Sequence, residues 1–296
     1  MKKTVTIAAG LVMLASCGQN EKAYDATGTF EATEVTVSAE QSGKLLRFAV
    51  QEGDDIEAGH EVGLIDTTQM WLKLQQADAT KGVYQSQKPD MEAQIAATRQ
   101  QLVKARQEQQ RYKELVDDGA APSKMLDDAT SQVKVLEKQL AAQVSALSTQ
   151  VSTLDSQLST IDVQKSQLKD QLQKCHIVAP LSGTVLEKYV EQGEFATPGK
   201  PLFKMGDIRQ MYLRAYVTSA QLQQVRVGQK VRVQADYGNG QKKAYEGTVS
   251  WISSRSEFTP KTILTDDERA DLVYAVKIAI ENDGFVKIGM YGEVKF

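Results

Sequence analysis

The sequence predicts a mixed α and β, elongated fold: a long antiparallel α-helical hairpin inserted into a split β-sandwich and followed by a small β-barrel. Three observations predict it. A short β-motif is written twice, as SGKLLRFAVQEGDDIEAGHEVGLID from Ser42 to Asp66 and as SGTVLEKYVEQGEFATPGKPLFKMG from Ser182 to Gly206. The chain between the copies has few turn residues and a heptad pattern of apolar side chains. Beyond the second copy, short alternating apolar runs are separated by turn residues.

The 296 residues are 41% hydrophobic and 25% charged, enough to bury a core in two or three domains. A formal net charge of −3 supplies no basic field for nucleic acid and no polybasic lipid-binding patch, so the overall charge does not point to polyanionic partners. The chain opens with Met1-Lys2-Lys3 and an apolar stretch from Thr4 to Leu14, short for a bilayer-spanning helix and right for a secretory signal. Leu14-Ala15-Ser16-Cys17 ends that stretch and resembles the lipobox of bacterial lipoproteins. Residues 1–16 are therefore expected to be a lipoprotein signal peptide, Cys17 the acylated lipid anchor and residues 17–28 a tether. The other cysteine, Cys175, has no partner for a disulfide in the mature chain, and with His176 and a distant His60 it makes no metal-ligand set.

The two copies align at a constant offset of 140 residues without a gap, placing Gly43 on Gly183, Gly53 on Gly193 and Gly59 on Gly199. Strands this short cannot bury their apolar face alone, so residues 29–66 and 175–208 are expected to form one sandwich in which Leu45 and Val62 pack with Val185 and Leu202. Between them, residues 67–174 read as two helical arms. In the second arm Leu126, Val133, Leu140, Leu147, Leu154, Ile161 and Leu168 recur every seven residues, joined by Ala129 and Leu136 near the turn and by Val144, Val151, Leu158 and Leu172 farther along. The handover is a stutter. In the first arm Met91, Ile95, Leu102, Ala105, Tyr112 and Val116 alternate similarly, interrupted by Thr98 and Gln109. Gly119 ends one arm, and Pro122 with Ser123 begins the next. Pro89 and the Ser/Thr-rich SALSTQVST lie at similar distances from the turn and mark places for a joint. Residues 209–296 supply a strand, a short helix near Ser219 and four further β-rich runs, read as the barrel.

This order of parts resembles the periplasmic adaptors, also called membrane fusion proteins or the HlyD family, in which a lipoyl-like domain is split by a helical hairpin and followed by a β-barrel. The stretch EFTPKTILTDDERADLVYAVKIAI resembles one common in adaptors of ABC-type exporters. The chain's end on the last barrel strand implies that the membrane-proximal domain of many RND-pump adaptors is absent or reduced. The resemblance implies a membrane tether, to the inner membrane on functional grounds, while Gly18 and Gln19 after Cys17 lack the aspartate of inner-membrane retention and leave the choice of membrane open. It also implies a homo-oligomer of six, an ABC permease as one partner and a TolC-like outer-membrane channel as the other. An RND-type pump and an inert periplasmic spacer are the alternatives. Family adaptors dock through an Arg, a Leu and a Ser at the hairpin tip. Here Arg111 and Leu115 match the first two, Pro122 stands at the expected Ser position with Ser123 after it, and Gly119, Ala120 and Ala121 complete the candidate docking tip. As bare sequence, Arg111 also reads as an ordinary exposed charge and Leu115 as a seam residue.

No enzyme and no cofactor are expected. The hairpin that bears the modifiable lysine of a lipoyl carrier is replaced by the helical insert. The histidines have no recognisable nucleophile beside them, the pairs Asp54-Asp55, Asp117-Asp118 and Asp266-Asp267 sit in turn-like or helix-end contexts, and no phosphate loop is present. Replacing Cys17 with Ser is expected to block lipoprotein processing and abolish metabolic labelling with fatty acid; labelling that persists in Cys17→Ser would refute the anchor.

Overall fold

In the computed structural model, which describes residues 24–238, 241–258 and 272–296, the two copies of the β-motif complete each other's edges. The signal segment, Cys17 and residues 259–271 of the ABC-adaptor-like stretch lie outside the described residues. The first copy contributes the end of β1 (Ala26–Ser38), β2 (Gly43–Phe48), β3 (Asp55–Ile56) and β4 (Glu61–Ile65). The second contributes β5 (His176–Val178), β6 (Gly183–Lys188), β7 (Phe195–Ala196) and the start of β8 (Pro201–Thr218).

Strand exchange between the copies is reciprocal. Gly43 pairs with Ala196 where β2 meets β7, and Gly183 pairs with Ile56 where β6 meets β3. The Gly53 N–H donates to the Val185 carbonyl at 2.9 Å, and the equivalent Gly193 N–H donates to the Leu45 carbonyl at 2.8 Å. Both glycines have positive φ, +93° and +94°, a conformation that a side chain would strain. Val185 N–H reaches the Asp54 carbonyl and Leu45 N–H the Glu194 carbonyl, each at 2.9 Å. The repeat also runs farther upstream than the glycine pattern reveals, since Val37 pairs with Phe203 just as Ile177 pairs with Gly63. Leu45, Val62, Val185 and Leu202 share one buried core, as the alignment predicted. Either half alone would leave that core open and its strand edges unpaired.

The barrel closes with six strands rather than with residues 209–296 alone. After β8 come α4 (Ser219–Leu222), β9 (Lys230–Gly238), β10 (Gln241–Phe258), β11 (Leu272–Glu281) and β12 (Tyr291–Lys295). They form the circuit β1-β12-β9-β10-β11-β8, which returns to β1. The residues from Ala26 to Ala32, divided by the sequence reading between the tether and the sandwich, are the sixth strand. Without them β8 and β12 would each carry a free edge. Phe30 from this strand joins Met211, Leu213, Val233, Ile278 and Val294 in the barrel core. β1 and β8 then continue side by side into the sandwich, with a bulge between Ala32 and Thr33.

The insert contains three helices, α1 (Thr68–Ser86), α2 (Met91–Asp117) and α3 (Ser123–Gln173). The first arm breaks around Pro89, where Asp90 caps α2 by accepting from the Ala93 N–H at 3.1 Å. The second arm continues unbroken through SALSTQVST. Its hydroxyls fold back on the helix, Thr149 and Thr153 donating to the carbonyls of Ser145 and Thr149 at 3.0 and 2.9 Å; each shares its acceptor with a helical N–H, and the helix stays continuous. The break costs no register: from Lys81 to Arg106 the first arm advances twenty-five residues, and their partners, Asp162 and Glu137, retreat by the same twenty-five. The seam buries Ile95, Leu102, Val133, Leu136, Leu154, Ile161 and Leu168, whereas Val144 at the stutter is exposed. Thr98 is buried in the seam, and Gln109 satisfies its amide on the Thr130 hydroxyl at 3.1 Å.

Leu45 and Leu202 lie in opposite copies at 1% and 0% exposure. Leu45→Ala and Leu202→Ala are each expected to destabilise the sandwich by about 2–5 kcal/mol and to shift the same denaturant transition. Two transitions, each moved by only one of the substitutions, would show that the halves fold separately.

Candidate functional site

The end of the hairpin is set by backbone chemistry. Gly119 takes φ +69° after the last turn of α2, its N–H donates to the Val116 carbonyl at 3.0 Å, and the Ala120 N–H donates to the Leu115 carbonyl at 2.8 Å. These two bonds make a Schellman ending, which satisfies carbonyls that the helix end would otherwise orphan. Pro122 then occupies the N-cap position of α3 with extended backbone, ψ 139°, and Ser123 is the first helical residue. The Ser123 hydroxyl is not a cap. The reversal from Gly119 to Ser123 is thus a tight, mostly exposed turn in which only Ala121 is half-buried.

Arg111 and Leu115 are brought together one helical turn apart on the outer face of α2. Leu115 is 37% exposed, while Tyr112 and Val116 are half-buried towards α3. Leu115 is therefore not a seam residue, and its participation in the turn is through its carbonyl, not its side chain. Met125, 45% exposed in the first turn of α3, adds an apolar side chain that the sequence reading missed. Its signal was present, since it falls one position before Leu126 and so off the heptad seam. The tip presents Arg111, Leu115, Ala120 and Met125 without any buried titratable group. Such an arrangement suits complementarity with another surface.

The root of the hairpin is fixed in the opposite manner, by burial. The Ile65 N–H donates to the Cys175 carbonyl at 2.9 Å, joining the two chain crossings, and the Asp66 carboxylate accepts from the Thr68 N–H at 2.9 Å to start α1. The Cys175 side chain belongs to the sandwich core, where burial and then the nearby Asp66 charge raise its thiol above the usual range. Its neighbour His176 faces out, with Nδ1 at 2.8 Å from the Glu61 carboxylate. That hydrogen bond is the main reason the Glu61 carboxyl lies below its ordinary value, with the charge of Arg47 adding to it. Cys175 and His176 thus diverge, one into the core and the other to a surface hydrogen bond with Glu61.

Among the described residues no helix is long and apolar enough to cross a membrane. Residues 33–205, spanning the sandwich and the hairpin, match the family described as RND MFP, barrel-sandwich hybrid domain. The UPF0194 membrane protein YbhG of Salmonella arizonae is 32% identical over 300 residues, covering 91% of this chain and 87% of that protein. Among solved structures, MacA from Actinobacillus actinomycetemcomitans is similar with a TM-score of 0.57 at 22% identity, over 91% of this chain and 76% of that one. The membrane fusion protein Spr0693 from Streptococcus pneumoniae R6 is similar with a TM-score of 0.56 at 15% identity, over 91% and 99%. At these identities the two structures show a shared fold.

Because Leu115 lies off the seam, Leu115→Ser is expected to change the thermal stability of the hairpin by no more than about 0.5 kcal/mol. Val116→Asp, which places a charge against α3, is expected to lower it by well over that amount. Circular dichroism melts of the two variants check the assignment, and equal losses would return Leu115 to the seam.

Proposed function

This chain belongs to the membrane fusion protein family of periplasmic adaptors built on the barrel-sandwich hybrid domain, and we propose that it couples an ABC-type inner-membrane transporter to a TolC-like outer-membrane channel for efflux or secretion across a Gram-negative envelope. Family members join inner-membrane transporters to outer-membrane channels and are in general not enzymes. The observation that carries the proposal is the exposed Arg111–Leu115 face at the free end of a long arm. The 51 residues of α3 place that tip roughly 75 Å from the sandwich at 1.5 Å per residue. A surface held so far from the core has a use when another molecule meets it there.

The ABC assignment draws on the likeness of the segment from Glu257 to Ile280 to adaptors of ABC exporters. Cys17 acylation holds the mature chain at the periplasmic face of the inner membrane in this reading, and six copies ring one pore. Gly119 to Ser123 form the docking turn, with Pro122 in the place of the family's serine. A second reading, an adaptor of an RND-type pump, is favoured by the description of the matching family. That match ends at residue 205, before most of the barrel, the surface through which the two kinds of transporter would be told apart.

Co-purification of the tagged protein from mild detergent separates these readings. Recovery of an ABC permease together with an outer-membrane channel is the expected result, recovery of an RND transporter supports the second reading, and recovery of neither leaves a spacer. Arg111→Glu is expected to lose the channel and transport while retaining the transporter, since an exposed helix charge contributes little to stability but decides complementarity at an interface. Normal transport by Arg111→Glu would remove the tip contact from the mechanism.

A further inference from the structure

We propose that the barrel rim farthest from the sandwich, at the turn from Arg226 to Lys230, rests on the anionic phospholipid headgroups of the membrane that holds the Cys17 acyl chains. The inference depends on acylation of Cys17 and adds to it a lipid contact by the folded domain.

The two ends of the barrel are not equivalent. At one end β1 and β8 run on into the sandwich, so that mouth is occupied by the chain itself. At the other, β8 finishes at Thr218, which pairs with Val273 at the start of β11, and β1 begins with Ala26 opposite Val294. The chain enters the fold at this free rim. The Asp25 N–H donates to the Val294 carbonyl at 2.9 Å, the Asp25 carbonyl accepts from Gln221 Nε2 at 2.5 Å and its carboxylate accepts from the Phe296 N–H at 2.8 Å. Six residues separate Cys17 from Tyr24. At roughly 3.5 Å per residue, an acylated Cys17 keeps this rim within about 25 Å of the bilayer surface.

The same rim carries an apolar side chain held outward. After α4, Val225 is buried in the barrel core at 6% exposure, while Val227, two residues on, is 64% exposed. The turn is pinned. The Gly228 N–H donates to the Val249 carbonyl at 2.8 Å, the Val249 N–H returns to the Gln229 carbonyl at 2.9 Å, and the Arg226 N–H donates to Gln229 Oε1 at 3.0 Å. Val227 therefore cannot fold back on the barrel without breaking these bonds. Exposed Arg226 precedes it in the turn and exposed Lys230, which shares a groove of the barrel wall with Glu246, follows it. A β-branched apolar tip between two cations in the chain suits the boundary between headgroups and acyl chains, where the apolar group enters and the cations meet lipid phosphates. Such a contact is too small to anchor a protein alone. Beside the acyl chains it orients the barrel, because one flexible tether restrains distance but not direction.

The test uses the full acylated chain with Val227→Cys carrying an environment-sensitive fluorophore, and with Leu115→Cys at the hairpin tip as the distant control. Cys175 is 1% exposed and escapes labelling. In vesicles of phosphatidylethanolamine and phosphatidylglycerol containing headgroup-spin-labelled lipid, the label at Val227 is expected to be quenched and the label at Leu115 not. Arg226→Ala with Lys230→Ala is expected to reduce that quenching. An unquenched Val227 label on acylated, vesicle-bound protein overturns the rim contact while leaving the anchor intact. Quenching or shielding that needs a co-reconstituted transporter assigns the rim to that protein and overturns the lipid contact. Protein that lacks the acyl mass by mass spectrometry and fails to bind vesicles overturns the anchor and, with it, the rim contact.

Discussion

Reciprocal exchange of strand edges between residues 36–65 and 176–205 is the constraint on which the rest of the molecule depends. Each copy supplies a short strand, β3 or β7, that the other needs to cover β6 or β2, and each glycine turn donates into the opposite copy. Bringing together segments more than a hundred residues apart costs about 4 kcal/mol in chain entropy plus a constant. The hairpin lowers that cost, because its paired arms return the chain to its starting point, where Ile65 and Cys175 are hydrogen-bonded. The insertion is therefore compatible with the sandwich because the insert closes on itself.

Within the hairpin, apolar burial outweighs ion pairing. Lys81–Asp162, Lys88–Asp155 and Arg106–Glu137 are solvent-exposed pairs of a kind that contributes about 0–1 kcal/mol each. A fully buried Leu or Ile contributes about 1.5–3 kcal/mol, and the seam has several that approach full burial on both sides of the break at Pro89. The ion pairs instead discriminate register, since sliding one arm by a few residues would set Lys81 and Arg106 against the wrong partners. The polar seam positions serve the same end. Gln109 finds Thr130 in one register, and a shift would bury its amide unpaired.

What could be read from the sequence was what has local causes. Gly53 and Gly193 announced a turn written twice because positive φ requires glycine, and the heptads announced the seam because a helix presents every seventh residue to the same side. That the repeat extends upstream, with Thr36 to Ser38 equivalent to His176 to Val178, escaped notice because these strands carry no turn residue; Val37 with Ile177 and Ala39 with Ala179 were the only marks of the equivalence. The sixth barrel strand was hidden for a different reason. Nothing in ATGTFEATEVTVS says that its first half pairs with a strand at the far end of the chain, since that pairing is non-local. At the tip, the seven-residue run through Ile95, Leu102 and Gln109 placed Val116 on the seam, and its half-burial agrees, whereas the adjacent and equally apolar Leu115, which also read as a seam residue, is exposed.

The internal symmetry also explains how the two functional ends are related. The offset that maps one copy onto the other maps the pairing of Ile65 with Cys175 at the hairpin root onto that of Met205 with Val35 at the start of the ribbon to the barrel. Hairpin and barrel thus leave the sandwich from equivalent points of a single hydrogen-bonded core. Its side chains Leu45, Ile65, Val185 and Met205 are all 2% exposed or less, so displacement at one point cannot be absorbed by the sandwich without opening its packing. Compliance lies outside it, where the regular bonds are interrupted: between Ala32 and Thr33, where the β1–β8 ladder bulges, and around Pro89, where the first arm has no helical bonds and only α3 is continuous. A load between the barrel and the hairpin tip is therefore carried rigidly through the sandwich and α3, and bending concentrates at these two joints.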